Sequence, residues 1–182
     1  KIIYGDVNPS GKLPFTIAKN SSDYPYFNPY TDTITYGYYH GYSLFEKFNK
    51  DIAYPFGYGL SYSNFKYENF NFINVANEDS ILIFSVDLTN ISDVGGKEIS
   101  QFYVGFENSE IDRPLKLLRD FKKVYLKPGE KKTIKFKVNK NDLSYYNIEK
   151  KKWINEKIKY NFYVGGSSEQ DKLLKNSEFI YQ

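Results

Sequence analysis

The chain of 182 residues carries a formal net charge of +3, no cysteine and one histidine, His40, which excludes disulfides, thiolate metal sites and any multi-histidine metal centre. Aromatic residues make up 19% of it, 19 Tyr and 15 Phe among them, and with many β-branched residues this points to a β-rich protein. The lysine excess is scattered, the mark of a solvated surface and not of a nucleic-acid partner, and no apolar run approaches the ~20 residues of a bilayer span.

The length allows one large domain or two small ones. The first residues, Lys1-Ile2-Ile3-Tyr4, have neither an initiator Met nor a signal-peptide core, so the chain reads as starting within a larger body. Asn8-Pro9 and Ser10-Gly11 are turn chemistry. Leu13 to Ile17 follows as a short strand that Pro14 restricts to an edge or to its first residues. Residues 19–35 form a polar loop without periodicity, with a glycosylation sequon at Asn20-Ser21-Ser22 that matters only in a eukaryotic secretory setting. Tyr36, Tyr38, Tyr39 and His40 cluster next. Such rings stack on sugar faces and their hydroxyls bond sugar edges, or else they pack at a domain interface.

Pro55-Phe56-Gly57-Tyr58-Gly59-Leu60-Ser61-Tyr62 is unlike any strand or helix. Glycine reaches backbone angles closed to other residues, and the interleaved rings supply burial that a Gly/Ser linker lacks. It reads as an irregular connector pinned between two bodies. Beyond it the pattern turns to period two: Phe65 to Ile73 loosely, then Leu82, Phe84, Val86 and Leu88 on one face of a strand from Ser80 to Ile91. Ser92 to Gly96 is a turn and Glu98 to Phe106 a strand. Lys127-Pro128-Gly129-Glu130 has Pro and Gly where a type II turn needs negative and then positive φ. Ile134, Phe136 and Val138 then point one way, Thr133, Lys135 and Lys137 the other. Asp142–Tyr146 and Lys152-Trp153-Ile154 bracket a charged hairpin, Tyr160, Phe162 and Val164 form another inward face, and residues 173–181 a last strand. About seven short strands and no convincing helix predict an immunoglobulin-like β-sandwich.

The connector, continued through Ser63-Asn64-Phe65, closely resembles the P-F-G-Y-G-L-S-Y-T-T-F signature of family 3 glycoside hydrolases, a group containing many β-glucosidases. Other segments resemble the same family. Gly5 to Thr16 is similar to G-D-x-N-P-S-G-[KR]-L-P-x-T, and Tyr36 to Phe45 to an E-G-…-G-Y-R segment in which Tyr36 replaces Glu and Ser43 replaces Arg. Gly96 to Val104 resembles G-x-E-V-x-Q-L-Y-V. Arg113 to Val124 resembles R-P-x-K-E-L-[KR]-G-F-x-K-V, with Asp120 for Gly.

The resemblance implies a mainly β chain: residues 1–50 as the tail of an α/β sandwich domain, 51–65 as the connector, and 66–182 as a fibronectin type III-like domain. It further implies the C-terminal part of a β-glucosidase-like enzyme, with the barrel and sandwich domains of that enzyme as partners and a β-glucoside as substrate of the whole. Retaining glycosidases need two carboxylates roughly 5 Å apart. The resemblance puts both upstream of these motifs, so no catalytic residue is assigned to this chain. Tyr36, Tyr38, Tyr39 and His40 are candidates for the rim of a substrate site. No cofactor, metal, nucleic acid or membrane partner is expected. The competing expectation is a non-catalytic carbohydrate-binding or adhesion module.

Overall fold

The computed structural model describes residues 1–73 and 80–180, the last four of these by backbone alone. In chain order the elements are β1 (Ile17–Ala18), α1 (Gly41–Lys47), β2 (Ile52–Tyr54), β3 (Phe65–Ile73), β4 (Ile81–Asn90), β5 (Gly96–Glu107), β6 (Lys116–Leu126), β7 (Lys131–Asn139), β8 (Tyr145–Asn147), β9 (Lys152–Ile154), β10 (Lys159–Gly165) and β11 (Leu174–Ile180). From β3 onward two antiparallel sheets face each other, one ordered β11-β10-β5-β6 and the other β3-β4-β7. The proposed extension of the last strand to Tyr181 lies outside the described residues.

Side-chain alternation explains the sandwich. On β4, Leu82, Phe84, Val86 and Leu88 are buried while their neighbours are only partly so. On β7, Ile134, Phe136 and Val138 are buried between exposed lysines and Thr133. Phe84 sits directly across from Phe136. The facing sheet adds Phe102 and Val104 from β5 and Tyr160, Phe162 and Val164 from β10, all fully buried. Rings interlock across the gap: Phe84 to Phe162 at 4.2 Å and Phe102 to Phe136 at 5.2 Å between centroids. Removal of this much aromatic area from water is the main force holding the two sheets together.

The corner between β4 and β5 is organised by Asn90, which is fully buried. Its amide nitrogen donates to the carbonyls of Val94 (2.8 Å) and Leu126 (3.2 Å), and its Oδ1 accepts from Ser92 N (3.0 Å). Gly129 lies at φ +67 in the Lys127–Glu130 turn, where its N–H donates to the Asn90 carbonyl at 3.0 Å. One asparagine therefore ties both turns at this end of the sandwich.

β5 is buried along nearly its whole length. Phe102 and Val104 enter the core, whereas Gln101 and Tyr103 alternate to the opposite face, which the segment before β3 covers. That segment contains the two-residue β1, paired to β2, in place of a strand over Leu13 to Ile17. It also contains α1, where no helix was expected. Seven residues with only moderate helix propensity do not hold a helix alone. Docking does: Ser43 and Phe45 are buried, and the Tyr42 hydroxyl accepts from Leu118 N of β6 at 3.0 Å. β6 itself was also missed by the alternation, because a register shift at Phe102/Tyr103 and a mostly exposed outer face blur its period.

The connector threads between these two parts. Gly57 N donates to Leu13 O (2.8 Å) and Leu13 N to Tyr58 O (2.7 Å) on one side, and Ser168 N donates to Phe56 O (2.9 Å) on the other. Gly57 has φ +80 and lies flat against the Gln101 carboxamide. Of the connector's rings Phe56 and Tyr58 are half-buried and Tyr62 is exposed, while Pro55, Gly57 and Ser63 are the buried points.

Candidate functional site

The aromatic cluster before α1 divides in two. Tyr36 and Tyr38 are 62% and 65% exposed, and His40 is exposed as well, while Tyr39 is half-buried. Tyr38 and Tyr39 meet edge to face at 5.1 Å, and Tyr39 meets Phe48 at 6.1 Å. With Tyr24, Pro25, Leu44 and Lys50 they wall an open, largely apolar groove of about 470 Å³. Tyr36 lies outside it, beside Tyr24, Tyr26 and Phe27 in an adjoining hollow. The backbone of His40 bonds inward, its carbonyl accepting from Ser43 Oγ at 2.7 Å. The structure thus joins Tyr38 with Tyr39 and leaves Tyr36 and His40 apart from that groove.

Tyr39 also anchors the groove to the sandwich. Its hydroxyl donates to Asp112 Oδ1 at 2.6 Å, and Lys47 Nζ reaches the same oxygen at 2.5 Å while lying 5.1 Å from the Tyr39 ring centre. The Lys47 and Tyr39 bonds hold the Asp112 carboxyl below its ordinary range. Desolvation, with the bond to Asp112, raises the Tyr39 hydroxyl above its own.

Two further charge pairs cross between the same parts, and neither pairing was legible in the sequence. Lys12 Nζ meets Glu98 Oε1 at 3.1 Å, and Tyr67 donates its hydroxyl to that oxygen at 3.2 Å. Lys116, 2% exposed, bonds Glu46 of α1 and, at 3.1 Å, Gln170 Oε1. Burial raises the carboxyls of Glu98 and Glu46 and lowers the Lys116 ammonium, each partly offset by its partner's charge. Within the sandwich, Arg113 is paired with Glu156 and stacks 3.7 Å from the Phe106 ring centre.

Glu98, Glu46 and Glu156 are therefore all committed to structural cations. Among the described residues no group of three or more His, Asp or Glu side chains converges to hold a metal.

Comparison with known proteins gives this geometry a context. Residues 1–62 match the glycosyl hydrolase family 3 C-terminal domain, and residues 98–168 match the fibronectin type III-like domain. The chain belongs to glycoside hydrolase family 3, matching C-terminal parts of that family. It is 37% identical to a probable beta-glucosidase L of Neosartorya fischeri over 92% of its own length and 25% of that protein. The structure is similar to the beta-D-glucoside glucohydrolase of Trichoderma reesei, with a TM-score of 0.87 at 30% identity over 99% of this chain and 28% of that one. It is equally similar to the Kluyveromyces marxianus beta-glucosidase crystallised with glucose, with a TM-score of 0.87 at 36% identity over 100% of this chain and 22% of the other. The chain thus spans about a quarter of the length of the curated relatives it matches. Against the family 3 pattern, Ser43 replaces a long arginine by a buried hydroxyl that closes the first turn of α1. Tyr36, at the glutamate position, faces solvent.

Proposed function

We propose that this chain serves as the C-terminal brace of a β-glucosidase-like enzyme hydrolysing terminal β-glycosidic bonds, with the catalytic carboxylates on its other domains. One observation carries the reading. Of the twenty-four large hydrophobic side chains exposed among the described residues, sixteen fall within residues 1–62, including Ile3 at 88%, Tyr4 at 87%, Tyr26 at 88% and Tyr30 at 95%. Soluble surfaces rarely gather so much apolar area on one short segment unless another body covers it. The partner that fits is the rest of the α/β sandwich domain.

On this reading residues 1–50 complete that domain, 51–65 are the connector and 66–182 the fibronectin type III-like domain. Tyr36, Tyr38, Tyr39 and His40 lie toward the substrate rim. Binding of a β-glucoside belongs to the assembled enzyme. The isolated chain is expected to hydrolyse no aryl β-glucoside, whereas adding it to a catalytic-body fragment restores heat stability and activity. Turnover by the chain alone, or a body fragment equally active and stable without it, refutes the brace. Limited proteolysis tests the boundary: residues 66–182 should resist and residues 1–50 should be cut first, and the reverse order overturns the division.

A further inference from the structure

The short β8–β9 hairpin holds two aromatic rings in the open. Trp153 is 69% exposed and Tyr146 49%. They are direct cross-strand partners, and their rings meet edge to face at 5.6 Å. This contact fixes the indole's orientation while leaving most of its surface in water. A large ring held rigid and wet is a binding feature more often than a folding one.

At the foot of the indole lies a groove of about 710 Å³ lined by Arg119, Asn141, Asp142, Ser144, Trp153 and Asn155, within the range of small-ligand sites. Its polar groups are largely unspent. Among the described residues, the side chains of Arg119, Asn141 and Asp142 take part in no hydrogen bond or close ion pair, and Asn155 Oδ1 is buried with no partner. A buried amide oxygen without a partner is costly unless something else supplies a donor. Ser144 Oγ alone is engaged, donating to the Asn141 carbonyl at 2.6 Å.

We propose that this groove is a saccharide-binding site that takes an uncharged oligosaccharide with Trp153 as its stacking platform. The chemistry selects the ligand. Carboxamide, carboxylate and guanidinium groups present planar pairs of donors and acceptors that match vicinal hydroxyls. The axial C–H face of a β-linked glucose unit is flat and apolar, and it suits an exposed indole. One carboxylate and one guanidinium cancel within the groove, so it carries no net charge to draw an anion. The site does not depend on the brace described above, since it needs none of the missing domains.

The chain has a single tryptophan, so emission excited at the red edge of the protein spectrum reports on Trp153 alone. The 182-residue chain is titrated with cellopentaose and laminaripentaose, and separately with oligogalacturonate as an anionic control. A saturable blue shift with a Kd on the order of 1 mM for at least one neutral glucan is expected. Arg119→Ala and Asn155→Ala should each weaken binding about tenfold, the loss of one good polar contact. Trp153→Ala, followed by calorimetry, should abolish binding with the melting temperature unchanged, and Trp153→Tyr should keep part of it. No shift with either glucan, preference for the oligogalacturonate, or undiminished binding by Trp153→Ala would each overturn the proposal.

Discussion

Gly57→Ala probes the point where the connector meets β5. The magnitude follows from two separate effects. At φ +80 any L-residue with a Cβ is strained, by about 1 kcal/mol or somewhat more. The new methyl also lands on the Gln101 carboxamide. That group is doubly used: Nε2 donates to Gly166 O at 2.8 Å, and Oε1 accepts from the hydroxyl of the fully buried Tyr103. Its displacement leaves a buried hydroxyl and a carbonyl unpaired, at about 1–3 kcal/mol each. The sum is about 3–7 kcal/mol, or a fall in Tm on the order of 10–20 °C for a chain of this size. Urea denaturation of four proteins, wild type, Gly57→Ala, Gln101→Ala and the double variant, separates the two parts. In the Gln101→Ala background the obstruction is gone, so Gly57→Ala should add only its backbone strain of about 1 kcal/mol. Equal losses in both backgrounds, or a wild-type loss no larger than the strain, would show that the connector does not bear on β5 as described.

Phe136→Ala should destabilise the chain by about 3–5 kcal/mol, the range for emptying a fully buried ring site; a change within error would put the ring on the surface. Lys116→Met leaves Glu46 buried beside an apolar stem and should cost about 3 kcal/mol, with much of it recovered by adding Glu46→Gln. Chemical denaturation of the pair decides, and strict additivity would deny the coupling. The Asp87 carboxyl is held well below its ordinary 3.8, first by the Asn69 amide, then by Lys131 and Thr133. A depressed carboxyl contributes stability above its unfolded value that is lost as pH falls through the folded one. Melting temperature should therefore drop below pH 3.8, and less steeply in Asp87→Asn; identical slopes would exclude Asp87 from the acid response.

The sandwich was legible because its strands are long enough to show their period. Ile134, Phe136 and Val138 against Thr133, Lys135 and Lys137 is a pattern that only a half-buried strand explains, and Pro128-Gly129 announces its turn. α1 was not legible. Gly41 to Lys47 has neither a capping side chain nor an apolar repeat, and its order comes from Leu118, Lys116 and Tyr103 far along the chain. The cluster around Tyr39 was visible as composition, but not the division within it. Tyr36 and Tyr103 are the same residue type, and only the three-dimensional packing leaves one 62% exposed and the other fully buried. The pairings of Lys12 with Glu98 and of Glu46 with Lys116 were invisible for the same reason, since each joins residues at least seventy positions apart. The groove beneath Trp153 likewise assembles Arg119 and Asn155 from strand and loop positions with no local signature.

The corner built on Asn90 has a consequence for how the protein can be produced. Asn90-Ile91-Ser92 is an acceptor sequence for N-linked glycans, just as Asn20-Ser21-Ser22 is. Asn20 is exposed in the folded chain and tolerates a sugar. Asn90 has its amide nitrogen, the very atom that would be modified, bonded to Val94 O and Leu126 O in a space with no room for solvent. A glycan there and a closed corner are mutually exclusive. In a host that glycosylates nascent chains, transferase and folding compete for the same nitrogen. Every molecule modified at Asn90 before β4 and β7 close leaves the productive route, while bacterial expression or Ser92→Ala removes the competition altogether.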